Sequence, residues 1–219
     1  MIPVLYENDE IYVINKPSGL AVQGGNGVSH SLDNDFAQQV GNKVYLVHRL
    51  DKDTAGLMIV AKSAAAANKW TKLIGSKIAK KEYIAVCAGT INPKQGVIKE
   101  SVVQHGEMKA AVTCYSVEKE WFVKTSSEEN PDQPDIRMSQ IRLQLETGRM
   151  HQIRIHLAKQ NCPIAGDDQH GNFKINKQLK KTLKIKKLLL ASVKLTLPVD
   201  GKQLVFEIDL PEHMINLEK

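Results

Sequence analysis

The sequence is short of cysteine: only Cys87, Cys114 and Cys162 occur among its 219 residues, and no two stand in a CxxC spacing. An odd and scattered set supports neither a disulfide framework nor a zinc ribbon, so buried thiols serving as small apolar side chains are expected. Long hydrophobic runs are missing as well. None approaches the roughly 20 residues that a bilayer-crossing helix needs, and no membrane partner is expected. The opening residues, MIPVLYENDE, lack the basic patch and apolar stretch of a secretory signal, which makes a cytoplasmic location the expectation. There is no internal repeat and no low-complexity segment. With 42% hydrophobic and 25% charged residues, the composition is that of a globular protein rather than a disordered one.

What the sequence does hold is positive charge. Thirty Lys and Arg against 24 Asp and Glu leave a net charge of +6, which favours a polyanionic partner. Seven of the lysines fall between Lys174 and Lys187, with Leu179, Leu183 and Ile185 interleaved. That spacing fits a solvated helix face, and it also suits contact with RNA phosphates. The length allows one generous domain or two small ones, and the chain is read as one domain over residues 1–219.

The pattern predicts a hairpin from residues 3–6 and 11–15, a Gly- and Pro-rich loop over 16–27, and a helix capped by Ser29 or Ser31 running to about Val40. A second helix, capped by Ser63, is expected to run to about Ile74. Strands are expected over residues 81–88, 96–103, 111–118 and 137–146, with a polar insertion loop at 126–135. Thr147 and Gly148 are expected to open a helix through GRMHQIRIHLAKQ that stops near Asn161 and Pro163. A last hairpin, 188–197 with 203–209, should turn at Asp200 and Gly201. Strands outnumber helices and most connections are hairpin-like. This points to an α+β fold on a mixed, mainly antiparallel sheet with flanking helices.

The most telling segment is HRLDKDTAG, residues 48–56. Short apolar runs flank it at 44–47 and 57–61, and both read as buried strands. A polar link between two such strands lies at the surface, where its backbone is hydrated. Leu50 can anchor the link in the core, while Arg49 and His48 bring positive charge beside Asp51. A carboxylate that acts as a nucleophile must stay ionised while partly desolvated, and a nearby guanidinium favours the charged form. Asp53 is read as turn support. The letters Asp51-Lys52-Asp53-Thr54 also match the DxDxT signature of haloacid-dehalogenase-like phosphatases, with Gly166-Asp167-Asp168 as a mimic of their later acidic motif. Those enzymes place the first Asp directly after a strand of a parallel sheet. Here His48 and Arg49 intervene, and the β–α alternation is missing.

A second constellation is GRMHQIRIHL, residues 148–157. Read as a helix, Met150, Ile153 and Leu157 make an apolar stripe, and His151 and Arg154 share a neighbouring face. Arg149 falls in the first turn, where free N–H groups favour an anion. His151 and His156 are five apart and do not share a face, so no metal site is expected. Tyr83 lies in the expected strand KEYIAV with Lys81 on the same side. The GGNG stretch, residues 24–27, could cradle a phosphate but is weak evidence alone.

Taken together these elements resemble the RluA-type family of RNA pseudouridine synthases. The likeness runs in order through NKPSGLAV at 15–22, VHRLDKDTAGLMIVAK at 47–62, KKEYIAV at 80–86, ETGRMHQIRIHLA at 146–158, PIAGDDQHG at 163–171 and LLLAS at 188–192. The family usually has Ser where this chain has Ala55, and often His where it has Ala191. Many relatives carry a small RNA-binding domain ahead of the catalytic one, and none is expected here.

The resemblance implies the pseudouridine synthase fold and a catalytic role for Asp51, Tyr83 and Arg154. Asp51 would be the carboxylate that attacks the target uridine, Tyr83 would stack on the base, and Arg154 would pair with the catalytic carboxylate. It further implies substrate contacts: Arg49 filling the gap left by the extruded uridine, and Leu190 or its neighbour Leu189 lining an apolar pocket. His48, Arg149 and His151 are expected to bind the substrate as well. The implied reaction needs no cofactor and no metal. The expected partner is structured RNA bound by a monomer. Large-subunit ribosomal RNA is the favoured target, with transfer RNA as the alternative. A non-catalytic RNA-binding protein is the alternative of a different class.

Overall fold

Alternating apolar residues at the start of the chain form a hairpin, β1 (Val4–Glu7) with β2 (Ile11–Lys16), in a computed structural model of the protein that describes residues 1–25, 29–76, 78–126 and 133–218. Helix α1 (Leu32–Val40) has Ser31 at its N-cap and closes on Gly41 in the left-handed conformation. Next come β3 (Tyr45–Leu46), β4 (Ala55–Ala61) and α2 (Ala64–Gly75), where the Ser63 hydroxyl accepts the Ala66 N–H as the expected cap. Strands β5 (Lys80–Ala88), β6 (Gln95–Lys99), β7 (Val102–Gln104), β8 (Glu107–Lys109), β9 (Val112–Val123) and β10 (Ile136–Leu145) lead to α3 (Gln152–Lys159) and α4 (Phe173–Thr182). Strands β11 (Leu190–Val199) and β12 (Lys202–Glu207) follow, then a 3₁₀ turn at Glu212–Met214.

The chain divides into two compact units. The first combines Met1–Glu82 with Ala191–Asp209. Its strands run in the order β1, β2, β4, β11, β12, with β3 added to β4. On one face of β4, Leu57, Ile59 and Ala61 join Ile11, Val13, Leu195, Leu197 and Trp70 of α2 in one buried cluster. On the other face Tyr12, the register partner of Val60, meets Phe36 of α1 edge to face at 5.2 Å. Covered on both sides, β4 is buried at every position, and this is why it reads as an unbroken apolar run instead of an alternation. The β11–β12 hairpin turns at Asp200 and Gly201, both at positive φ, as the Asp-Gly pair predicts.

The second unit combines Tyr83–Leu190 with Leu210–Lys219. Its sheet runs β5, β10, β9, β6, and β7 with β8 makes a separate small hairpin. The expected strand over 96–103 is thus two strands, β6 and β7, and the turn at His105 and Gly106, both at positive φ, sends the chain back as β8. The segment after β12 lies on this sheet, with Trp121 donating its indole N–H to the Leu217 carbonyl at 2.9 Å. The pairing of β4 with β11 is parallel, whereas β1–β2, β2–β4, β3–β4, β11–β12, β9–β10, β6–β9 and β7–β8 are antiparallel. This is the mixed, mainly antiparallel α+β architecture expected. The three cysteines are free thiols, two of them fully buried. Among the described residues no helix is long and apolar enough to cross a membrane. Residues 26–28 of the GGNG stretch and its flank, and 127–132 of the polar insertion, lie outside the described residues.

Candidate active site

The HRLDKDTAG turn leaves the core at β3 and returns to it at β4. The strand before it is only two residues long, shorter than expected, because β4 has to share that edge. Leu50 is buried as its sequence position suggests, Arg49 is exposed, and Asp51 is half-buried. Within the turn the Thr54 N–H donates to the Asp51 carbonyl at 3.2 Å.

The turn is stitched to the NKPSG segment by a residue that sequence reasoning missed. Lys16 has no exposed surface at all, and its ammonium donates to the carbonyls of Pro17, Leu20 and Lys52 at 2.8 to 2.9 Å. The Ser18 hydroxyl donates to the Asp53 carbonyl, and the Gly19 N–H to that of Lys52. Burial pulls the Lys16 pKa down to about 8, against the opposing pull of the Asp53 and Asp51 carboxylates. A cation in a dry cage one residue from Asp51 adds positive potential where a working carboxylate needs it. The one available signal was a lysine placed between an apolar strand and a proline.

In the second unit, Arg154 and Asp167 form a buried bidentate pair. The Arg154 Nε and Nη2 donate to Asp167 Oδ2 and Oδ1 at 2.8 and 2.7 Å, and each residue is about 4% exposed or less. Asp167 Oδ1 also accepts the N–H groups of Gln169 and His170 at 3.0 Å. Burial pushes this carboxyl up. The guanidinium and the two amides outweigh that push and hold it below its ordinary value. The GDDQHG turn is closed tightly around it. A Cβ on Gly171 would come within 2.1 Å of the Asp167 carbonyl, and one on Gly166 within 2.1 Å of the Lys187 carbonyl. Asp167, met in the sequence only as part of an acidic mimic, is therefore the residue that holds Arg154.

The GRMHQIRIHL segment departs from its expected helix. Helix α3 starts at Gln152, not at Thr147 or Gly148, and His151 precedes it in the left-handed region at φ 54°. The cause is Gln152. Its side-chain carbonyl accepts from the Thr147 hydroxyl and the Arg149 N–H, while its amide donates to Val112 and Thr113. These bonds hold residues 147–151 as a turn. Arg149 accordingly lies outside the helix, with its Nε donating to the Ala110 carbonyl. Met150 is exposed and not part of an apolar stripe, whereas Arg154 belongs to the buried face with Ile153 and Leu157. His151 Nδ1 and His170 Nε2 are hydrogen-bonded at 3.0 Å. His156 bonds Thr113 and the Glu100 carbonyl, and burial lowers its pKa.

Tyr83 is buried in β5, and Lys81, in the same strand, has its pKa lowered by burial. Leu189 and Leu190 are both buried at the start of β11. The two departures from the family pattern turn out to be neighbours, since Ala55 and Ala191 are register partners across β4 and β11 and both are buried. All seven lysines of the 174–187 stretch are exposed, and Leu179 anchors α4. No cluster of three or more metal-ligating side chains occurs among the described residues.

Comparison with known proteins agrees with these motifs. Residues 10–159 match the family model of RNA pseudouridylate synthase. The ribosomal large subunit pseudouridine synthase C of Rickettsia bellii is 32% identical over 224 residues, spanning 96% of this chain and 69% of that protein. Its namesake in Escherichia coli K12 is 31% identical over 225 residues, spanning 95% of this chain and 66% of that protein. The chain thus spans about two thirds of the length of these curated relatives. Among solved structures, human RNA pseudouridylate synthase domain containing 4 superposes with a TM-score of 0.75 at 25% identity, covering 98% of this chain and 91% of that one. The family motifs, the match over more than half of the sequence and the shared fold lead to one conclusion: the chain belongs to the RNA pseudouridylate synthase family.

Proposed function

We propose that this chain converts uridine to pseudouridine in large-subunit ribosomal RNA. The observation that carries the reading is the family match over residues 10–159, which contains the whole HRLDKDTAG turn. The curated relatives named above act, by their names, on the ribosomal large subunit. The catalytic domain is taken as residues 1–219, working as a monomer in the cytoplasm.

The reaction exchanges one bond for another. The bond from ribose C1′ to uracil N1 breaks, the base turns, and C1′ bonds to C5, whose proton is lost while N1 gains one. There is no net oxidation or hydrolysis, so side chains suffice in this reading and no cofactor is invoked. Asp51 is the carboxylate that attacks the target nucleoside. Arg154 is assigned to keep the catalytic carboxylate Asp51 ionised, and is itself held by Asp167. Tyr83 stacks on the base, and a buried strand residue keeps that ring rigid. A uridine inside a stem must first leave the stack at a cost of about a few kcal/mol. Exposed Arg49 fills the vacated gap, and Leu190, Arg149 and His151 contact the substrate.

Asp51→Asn is expected to abolish conversion, read by pseudouridine mapping on extracted RNA, while RNA affinity stays within several-fold. Full activity in that variant sinks the assignment, and an inactive wild-type protein that still binds RNA favours the non-catalytic reading. Mapping total RNA with and without the gene identifies the target. Loss of a site in transfer RNA instead would move the proposal to that substrate, which the letters GDDQHGN also resemble.

A further inference from the structure

His48 stands three residues before Asp51, and its ring takes the place of a missing strand. One edge of β4 is used by β2 from Gly56 to Ala61. The opposite edge is divided: β3 pairs with Val60 and Ala61, and β11 pairs with Ala55 and Gly56. Between these two stretches the Ile59 N–H is met by the His48 side chain, with Nε2 accepting at 3.0 Å. An accepting Nε2 carries no proton, so the neutral ring holds its hydrogen on Nδ1. That nitrogen is sealed from solvent and makes no hydrogen bond of good geometry, though it feels the polarity of the Arg49 backbone.

We propose that His48 is a positioning residue for Asp51, which bonds β4 instead of the substrate and fixes where the catalytic turn leaves the core. The proposal rests on the catalytic reading of Asp51 given above. A backbone N–H at that depth needs an acceptor, and the short β3 cannot reach it. The side chain that fills the gap is long, planar and neutral. Protonation would set two donors against each other. Burial first, and then the positive charge of Lys81, drive the ring's pKa down to about 3, so it stays an acceptor across the working range of pH. With the ring in place, the turn is fixed at its start by Ile59 and at its end by the β11 pairing, and Asp51 lies between the two.

The test compares His48→Leu, which cannot accept, with His48→Gln, whose amide oxygen reaches the position of Nε2. In His48→Leu the single-turnover rate is expected to fall on the order of 10- to 100-fold while RNA affinity stays within about twofold. His48→Gln is expected to recover most of that loss, and protection of the Ile59 amide from hydrogen exchange should follow the same order. Nitrogen NMR of the unaltered protein should show a neutral ring protonated at Nδ1, with no titration between pH 5 and 8. Weakened RNA binding with an unchanged rate on bound RNA would make His48 a substrate contact and overturn the proposal. A ring protonated at Nε2 would overturn it even if neither variant folds. If the wild-type protein converts no uridine, the catalytic reading itself fails. A full rate in His48→Leu beside an active wild type removes only the positioning role.

Discussion

Two regions of this molecule hold a cation away from water, and they do it by different means. Lys16 is a compact charge surrounded by three backbone carbonyls, none of which is ionised. Arg154 is a planar fork engaged by one carboxylate at two points. The lysine's pKa drops to about 8, because carbonyl dipoles replace water only in part. The arginine faces a full negative charge, and the benefit shows on its partner, since Asp167 titrates below its ordinary value despite being buried. The lesson is that the first device can be switched off by a modest change of pH, whereas the second is permanent. The first stands beside the residue expected to do chemistry, and the second braces the turn that carries the GDDQHG letters.

Breaking the arginine pair should have the largest effect on stability. Asp167→Asn removes the buried charge that Arg154 clasps at two points and is expected to cost about 3–5 kcal/mol, read as a lower denaturant midpoint. A smaller loss would show that other groups, Asp168 Oδ1 at 3.9 Å among them, compensate the guanidinium. Lys16→Met should cost less, about 2 kcal/mol, since it strands neutral carbonyls and also removes a poorly solvated charge. Its sharper signature is in pH. As pH rises through about 8 the wild-type ammonium loses its proton, a carbonyl loses its donor, and activity is expected to fall; the residual activity of the variant should show no such limb. Stability moves the other way. Between pH about 8 and 10.5 the folded chain holds fewer protons than the unfolded one, so this group favours folding more as pH climbs. The exposed lysines supply the baseline for both. Replacing Lys180, Lys181 and Lys184 with Ala should leave stability within about 0.5 kcal/mol. The slope of log affinity against log salt should become shallower by about 0.7 to 0.9 for each phosphate that these lysines no longer neutralise. An unchanged slope would leave that helix as a solvated face.

Much of the first unit was legible. The apolar run of β4, the cap at Ser63, the anchor at Leu50 and the Asp-Gly turn are local signals, and local physics satisfies them. What could not be read depended on residues far apart in sequence. Lys16 looks like a solvated lysine until Lys52 closes its cage. The segment from Thr147 to His151 has letters that suit a helix, and only the tertiary bonds of Gln152 hold it as a turn. The β7–β8 hairpin merged with its neighbours because three-residue strands are too short to show a period. Asp167 as the partner of Arg154 is a contact between a helix and a turn that no spacing rule supplies.

The seam at Gly56 bears on how the protein is made. A Cβ there would lie 2.1 Å from the Ser192 carbonyl, so the backbone of β11 presses directly against the end of the HRLDKDTAG turn. Yet β11 is synthesised more than half of the chain after β4. Until it emerges, one edge of a wholly apolar strand has only two-residue β3 beside it, the kind of exposed segment that pairs with the wrong neighbour. A ribosome that has finished the HRLDKDTAG turn has therefore not yet made the strand that completes it. The proposed catalytic carboxylate becomes correctly held only once β11 has been made, so products truncated before it carry the motif without the strand that supports it.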